Sequence, residues 1–248
     1  MKRFGLIGHP LGHSFSKAYF TEKFNREGVD ACYELFDLAD INELPGLIKK
    51  YPDLRGFNVT IPYKEAIIPY LYKLDSLADV VGAVNTVKVL RDGRLIGFNT
   101  DVYGFAETLY EVFGGDRAKL PKAALVLGTG GASLAVHFAL RELDVHYTVV
   151  SRSVIKGDYL YEELTPEIIL AHPLIINATP VGMAPNINEA PMIPYEAITS
   201  EHILFDLIYN PEETLFLRYG RERGATTVNG MKMLHTQADA AWEIWNRE

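Results

Sequence analysis

The sequence predicts an α/β protein built mainly on parallel sheets. Short apolar runs alternate with stretches of helical periodicity along the 248 residues, and such βαβα alternation is typical of parallel sheets. One apolar run, residues 125–127, ends at a cluster of glycines directly before a helical stretch. The length fits one large domain or two modest ones.

The glycine cluster has the pattern of a dinucleotide-binding loop. Between the strand and the helix lie Gly128, Thr129, Gly130, Gly131 and Ala132. Glycine lets the backbone turn tightly and brings its N–H groups close to a pyrophosphate at the helix N-terminus. Because Ser133 replaces the third glycine of G-x-G-x-x-G, an ordinary strand-to-helix turn is the alternative.

The strand after this loop, predicted over 146–150, indicates which dinucleotide is bound. NAD enzymes usually carry a carboxylate at its end, where it binds the ribose hydroxyls. Here the strand is followed by Ser151, Arg152 and Ser153, and then by Lys156. A guanidinium suits a 2′-phosphate, so NADP is expected rather than NAD; the alternative is an arginine that caps a helix.

The chain begins with a strand over 4–7, a polar loop over 8–16 and a helix over 17–27. Ser16 is a candidate N-cap of that helix, but one cap does not account for a loop that also contains Ser14 and two histidines. Loops that follow strands are where α/β proteins bind ligands.

The first half continues with predicted strands over 33–38 and 56–60, helices over 41–51 and 65–74, and a hairpin turned by Asp92-Gly93 and ending at 98. Asn58 and Thr60 alternate along the third strand and therefore share one face, with Lys64 shortly after them. A solvated lysine at a helix start is the alternative for Lys64. Asp101 precedes a helix over 103–113, so an N-cap or Asx turn is its local interpretation.

The second half adds predicted strands over 174–178, 203–208 and 226–228, a proline-containing loop over 184–194, and helices over 211–223 and 231–245. The last helix carries an apolar stripe of helical period, which we expect to be core. The stripe consists of Leu234, Ala238, Ala241, Trp242 and Trp245.

Composition excludes several classes of function. A net charge of −8 without a basic stripe argues against nucleic-acid binding. Cys32 is the single cysteine, so no disulfide framework and no metal site are expected. No apolar run approaches the roughly 20 residues of a membrane span, and the first residues turn polar too soon for a signal peptide. A cytoplasmic protein with small-molecule partners, monomeric or homodimeric, is expected.

A series of motifs resembles the shikimate dehydrogenases along nearly the whole chain. They are HSFS at 13–16, NVTIPYK at 58–64, GAVNT at 82–86, NTDVYG at 99–104, GTGGA at 128–132, NATPVGM at 177–183 and NGM at 229–231, with Gln237. The resemblance implies a substrate domain over 1–103, completed by the C-terminal helix 231–248, and a Rossmann-type NADP domain over 104–230. It implies an active site in the cleft and NADP-dependent, reversible reduction of 3-dehydroshikimate to shikimate in aromatic amino-acid biosynthesis.

The resemblance also implies roles for single residues. Lys64 and Asp101 are similar to the catalytic pair, which handles the proton of the substrate hydroxyl. The implied substrate ligands are Ser14, Ser16 and Tyr209 at the carboxylate and Asn58, Thr60, Asn85, Asp101 and Gln237 at the ring hydroxyls. The implied NADP ligands are the glycine loop 128–132 with Ser151, Arg152, Ser153, Asn177, Thr179 and Gly230.

Three stretches depart from the usual pattern of the family. Lys17 follows Ser16 where proline is usual, and 20–21 lacks the usual His-Asn. Residues 151–153 keep the arginine of the usual Asn-Arg-Thr and only a hydroxyl analogue of its threonine, Ser153, and the stretch 153–176 is short for the family. Two other functions stay open at this stage: a quinate/shikimate dehydrogenase that also uses NAD, and a non-catalytic sensor of a nucleotide and a metabolite.

Overall fold

The computed structural model describes residues 1–12, 14–153 and 155–247 and confirms the α/β class. The chain divides into two compact units, Met1–Thr100 with Ala238–Glu248, and Asp101–Gln237. The domain boundaries expected from sequence, after residue 103 and before residue 231, stay predictions. Within the described residues, no helix has the length and apolar character needed to span a membrane.

The first unit is built on a sheet with the strand order β2-β1-β3-β5-β6-β4. Its elements are β1 (Lys2–Gly8), α1 (Phe15–Glu27), β2 (Ala31–Asp37), α2 (Leu44–Lys50), β3 (Leu54–Val59), α3 (Tyr63–Ala66), β4 (Lys73–Leu74), α4 (Ser76–Val81), β5 (Thr86–Val89) and β6 (Leu95–Phe98). β5 runs antiparallel to both β3 and β6, whereas the other pairings are parallel. The predicted hairpin is therefore confirmed, and it is inserted beside a parallel sheet.

The second unit has the strand order β12-β11-β10-β7-β8-β9, with every pairing parallel. Its elements are α5 (Asp101–Val112), β7 (Ala123–Leu127), α6 (Gly131–Glu142), β8 (His146–Ser151), β9 (Tyr159–Leu160), α7 (Pro166–Leu170), β10 (Leu174–Asn177), β11 (Ile203–Asp206), α8 (Leu215–Arg221), β12 (Thr226–Val228) and the first part of α9 (Met231–Asn246). This is the doubly wound order of Rossmann folds, in which the strand order runs outward in opposite directions from the neighbouring pair β7 and β10. The Rossmann-type prediction is confirmed.

The structure corrects three local predictions. The helix expected over 65–74 is wrong: α3 ends at Ala66, a 3₁₀ turn follows at Ile68–Tyr70, and Lys73–Leu74 pairs with β6. Proline at position 69 has no N–H and its ring clashes with the preceding turn, so an α-helix cannot continue through it. The hairpin loop spans 91–93 rather than two residues, because the N–H of Leu90 donates to the carbonyl of Arg94. The helix expected over 211–223 begins only at Leu215.

The C-terminal part of α9 belongs to the first unit and packs on one face of its sheet. Trp245 stacks on Phe4 of β1, with ring centroids 4.8 Å apart, and its indole N–H donates to the carbonyl of Val87 at 3.0 Å. The indole lies directly on Gly56 of β3, where a Cβ atom would overlap the ring. The predicted apolar stripe is thus confirmed as core, and the absence of a side chain at Gly56 lets the helix approach the sheet.

We expect Gly56→Ala to lower the free energy of unfolding by about 1–3 kcal/mol, because the new methyl group overpacks the Trp245 contact. Gly46→Ala is the matched control: Gly46 lies inside α2 and nothing is within 4 Å of its Cβ position. That change should instead stabilise by roughly 0.5–1 kcal/mol. Urea unfolding of both variants measures the two effects, and equal shifts would contradict the close approach at Gly56.

Candidate active site

Five side chains of the first unit form a continuous hydrogen-bonded series, here named the polar row: Tyr33, Asn58, Asn85, Thr86 and Thr100. The Tyr33 phenol donates to Asn58 Oδ1 at 2.8 Å, and Asn58 Nδ2 donates to Thr86 Oγ1 at 3.1 Å. Asn85 Nδ2 donates to Thr100 Oγ1 at 3.0 Å, and the backbone N–H of Thr100 donates to Asn85 Oδ1 at 2.7 Å. Polar groups this deep in a sheet require such partners, and here each provides one for the next.

The antiparallel register of β5 assembles the polar row. Asn58 of β3 pairs with Thr86 of β5, and Thr86 pairs in turn with Phe98 of β6. Asn85, directly before β5, is held by its backbone: its carbonyl accepts from the N–H of Val59 at 2.8 Å, and its N–H donates to Phe98. The backbone at Asn85 is thereby hydrogen-bonded to a neighbouring strand on each side. Asn58 and Asn85, two of the predicted substrate ligands, lie in one network.

Ser14 and Ser16 lie where β1 leads into α1. Ser14, not Ser16, is the N-cap, and α1 starts at Phe15 rather than at residue 17. The sequence-based cap was therefore wrong, and Ser16 lies in the first helical turn. Ser14 makes no capping bond, and its Oγ is buried without a hydrogen-bond partner among the described residues. A buried hydroxyl of this kind at a helix N-terminus is suited to donate to an anion. His13 of the same motif lies outside the described residues.

Thr60 was expected to end the third strand, but β3 ends at Val59, so Thr60 directly follows it and Lys64 lies in α3 shortly beyond. The N–H of Thr60 donates to the carbonyl of Ile7 at 2.9 Å, which fastens it to the end of β1. Its methyl group would lie 2.5 Å from a Cβ atom at Gly8, so only glycine permits this approach. Lys64 is half-buried in α3, and its carbonyl accepts from the N–H of Val84 at 2.7 Å. The backbone that carries the lysine is thus attached to the segment that precedes β5.

In the second unit, the glycine loop confirms the predicted sequence of strand, turn and helix. Gly128 follows β7 with φ +103°, and a Cβ atom there would lie 2.6 Å from the Thr179 methyl group. Gly130 is the N-cap of α6, and nothing lies within 4 Å of its Cβ position. Ser133 is fully buried and its hydroxyl donates to the carbonyl of Gly130 at 2.6 Å. The loop thus leaves the N-terminus of α6 open, as a dinucleotide phosphate requires.

Arg152 lies just beyond β8, at the carboxyl end of the sheet. Ser151 is the last residue of the strand, and its hydroxyl accepts from the N–H of Ser153 at 3.2 Å. This turn exposes the Arg152 side chain. None of residues 151–153 carries a carboxylate. The cationic group expected for a 2′-phosphate is therefore available at this end of β8.

A buried carboxylate, Asp206, joins the ends of β10 and β11 to the start of α8. It accepts from Asn177 Nδ2 at 3.1 Å, from the Thr214 hydroxyl at 2.6 Å and from the N–H of Ile208 at 3.0 Å. Asn177 is itself fully buried, and its Oδ1 accepts from the N–H of Thr179 at 3.1 Å. Asn177, a predicted NADP ligand, is therefore engaged in holding the loop that carries Thr179 against Gly128.

The remaining predicted ligands of the second unit lie at the start of α5, after β11, directly before α9 and within α9. Asp101 is the first residue of α5 and is 2% exposed. A Cβ atom at Gly104 would lie 2.6 Å from the carbonyl of Met233, so α5 packs closely on α9, which also carries Gln237. Gly230 N–H donates to the carbonyl of Ile208, next to Tyr209, and burial raises the pKa of Tyr209.

Known proteins are similar to almost the whole of this chain. A family model described as the shikimate dehydrogenase substrate binding domain matches residues 6–87. The shikimate dehydrogenase (NADP(+)) of Methanococcus maripaludis is 39% identical over 98% of this chain and 91% of its own, and that of Caldanaerobacter subterraneus is 37% identical over 100% and 92%. The chain belongs to the shikimate dehydrogenase family.

The solved structures agree with this membership. Shikimate 5-dehydrogenase from Thermus thermophilus in complex with NADP(H) and shikimate is 37% identical, with a TM-score of 0.85, covering 99% of this chain and 94% of that one.

The polar row of the present chain contains three residues that the sequence did not single out as ligands: Tyr33, Thr86 and Thr100. Asp206 likewise received no role from sequence. Thr86 and Thr100 lie inside recognised motifs, but no motif pointed to Tyr33.

We expect the buried Asp206 to make folding depend on pH. Burial raises its pKa from 3.8 to about 6, although hydrogen bonds from Thr214, Ile208 and Asn177 oppose this. The folded protein therefore binds this proton more tightly than the unfolded chain, so the free energy of unfolding falls as the pH rises from about 4 to about 6. Asp206→Asn removes that dependence.

Urea unfolding of the wild type and of Asp206→Asn at pH 4 and pH 7 measures the effect. Other titrating groups cancel in the comparison. Between the two pH values, the wild type should lose roughly 2–3 kcal/mol more stability than the variant. Parallel pH profiles would show that Asp206 ionises as an exposed carboxylate does.

Proposed function

We propose that the protein is an NADP-dependent shikimate dehydrogenase, which reversibly reduces 3-dehydroshikimate to shikimate in aromatic amino-acid biosynthesis. The supporting observation is the polar row together with the buried, unpaired hydroxyl of Ser14. Neutral amide and hydroxyl groups match a ring that carries several hydroxyls, and an unpaired buried donor matches a carboxylate. The relatives named above are NADP-dependent shikimate dehydrogenases, and one of them was solved with both ligands.

In this proposal the first unit binds the substrate and the second binds NADP. Ser14 and Ser16 bind the carboxylate, with Tyr209 on the same side. The ring hydroxyls are bound by Asn58, Thr60, Asn85, Asp101 and Gln237. The glycine loop 128–132 binds the pyrophosphate, and Ser151, Arg152, Ser153, Asn177, Thr179 and Gly230 complete the NADP site.

Lys64 and Asp101 handle the proton of the reaction. NADP, when bound, supplies or accepts the hydride. During reduction, the Lys64 ammonium donates a hydrogen bond to the carbonyl oxygen, stabilises the negative charge that develops there, and transfers the proton to it. In the reverse direction, the amine takes the hydroxyl proton. Asp101 accepts a hydrogen bond from the same hydroxyl.

We also infer a cytoplasmic location, where a lone thiol such as Cys32 stays reduced.

Initial rates of oxidation of shikimate and of quinate, each with NADP and with NAD, test this function. Shikimate with NADP should exceed the other three combinations by at least about tenfold. In Arg152→Ala, the KM for NADP should rise by roughly tenfold or more. The KM for NAD should change little, because NAD has no 2′-phosphate for Arg152 to bind. Comparable rates with quinate or NAD would indicate the broader quinate/shikimate class. No turnover with nucleotide still bound would indicate a sensor.

Lys64→Ala should lower kcat by at least about 100-fold while KM for shikimate changes only a few-fold, since proton transfer contributes in the transition state. Lys49→Ala, at the exposed end of α2, is the control and should leave both constants unchanged. Steady-state kinetics at saturating NADP measures both variants. An equal loss of kcat and of affinity would mean that Lys64 binds the substrate without transferring its proton.

A further inference from the structure

Tyr33 is a buried tyrosine of β2 that no recognised motif includes. It is 3% exposed, and its ring stacks on Phe20 of α1 with centroids 4.7 Å apart and an interplanar angle of 11°. In the sheet it pairs with Phe4 of β1, which belongs to the same aromatic cluster. The ring is thus held on two sides by apolar groups, and a phenol oxygen in such surroundings is costly unless it is hydrogen-bonded.

The Tyr33 phenol lies beside two residues that bind different parts of the substrate in the proposed function. It donates its only proton to Asn58 Oδ1 at 2.8 Å. The hydroxyl of Ser16 is near enough to the same phenol to oppose the effect of burial on the pKa of Tyr33. Burial raises the pKa of Tyr33 well above its usual value, so the phenol remains a donor at neutral pH.

The hydrogen bonds of Asn58 determine what its side chain can offer a ligand. Its Nδ2 donates to the carbonyl of Asn85 at 3.3 Å and to Thr86 Oγ1 at 3.1 Å, which uses both N–H bonds. Its Oδ1 accepts from Tyr33 and keeps one lone pair. Asn58 therefore presents an acceptor and not a donor, and such a group selects a ligand that has a hydroxyl proton to give.

We propose that Tyr33 is a positioning residue for the substrate: its phenol orients the Asn58 carboxamide as an acceptor for a ring hydroxyl. This inference rests on the proposed function. Without the phenol, Asn58 Oδ1 loses the donor that fixes it on the side of β2. Only the two bonds from Nδ2 then hold the carboxamide, so its acceptor is fixed less firmly for the substrate.

Tyr33→Phe tests the proposal, because phenylalanine keeps the stacked ring and removes only the hydroxyl. We expect the KM for shikimate to rise about tenfold, while kcat stays within about threefold and the KM for NADP within about twofold. Tyr70→Phe is the matched control. The Tyr70 phenol also donates to an asparagine Oδ1, that of Asn42. The Tyr70 side chain, however, packs in a different hydrophobic cluster of the same unit, away from Tyr33. Its kinetic constants should equal those of the wild type.

A double-mutant cycle with Asn58→Ala separates positioning from general damage to the fold. If Tyr33 acts through Asn58, Tyr33→Phe should raise the KM for shikimate less than about twofold in the Asn58→Ala background. Fully additive effects, or a wild-type KM in Tyr33→Phe, would overturn the proposal. Both outcomes require a wild type that oxidises shikimate with NADP. If it does not, the proposed function fails first, and the two failures are distinguishable.

Discussion

The antiparallel pairing of β5 between β3 and β6 is the constraint on which the first unit depends. It places Thr86 opposite Asn58 and leaves Asn85 to bridge Val59 and Phe98 through its backbone. A shift of one residue would turn every side chain of the hairpin to the other face, leaving buried amides and hydroxyls without partners. Buried polar groups destabilise a sheet when they lack hydrogen-bond partners. Here they bind one another, and only one register allows this. The same contacts therefore specify the fold and the groups proposed to bind the substrate.

In the second unit, a buried carboxylate connects the ends of the strands. Asp206 accepts three hydrogen bonds and connects β10, β11 and α8. Through Asn177 it also holds Thr179, whose methyl group packs where Gly128 has no side chain. The two units consequently differ in their response to pH. The polar row consists of groups that stay neutral around pH 7, whereas the raised pKa of Asp206 makes the ends of the second sheet less stable as the pH rises from about 4 to about 6.

Sequence predicted the features that are local or that repeat with a regular period. The glycine loop before α6, the hairpin at Gly93 and the apolar stripe of α9 each follow from residues adjacent along the chain. Tyr33 could not be found in this way, because its partners are far away in sequence and meet it only once β2, β1 and β3 are aligned. Two local interpretations also failed for identifiable reasons. Pro69 ended a helix whose apolar spacing looked continuous, and Ser14 rather than Ser16 took the cap position because α1 begins earlier than its periodicity indicated.

The polar row is formed by the fold itself and is present before any ligand binds. Amide hydrogen exchange of the ligand-free protein tests this most directly. The N–H of Thr100 donates to Asn85 Oδ1 and that of Val59 to the Asn85 carbonyl, so both report on the row. They should exchange as slowly as the amides in the middle of β1 and β3. Exchange as fast as that of exposed loop amides, slowed only when shikimate is added, would contradict a preformed row.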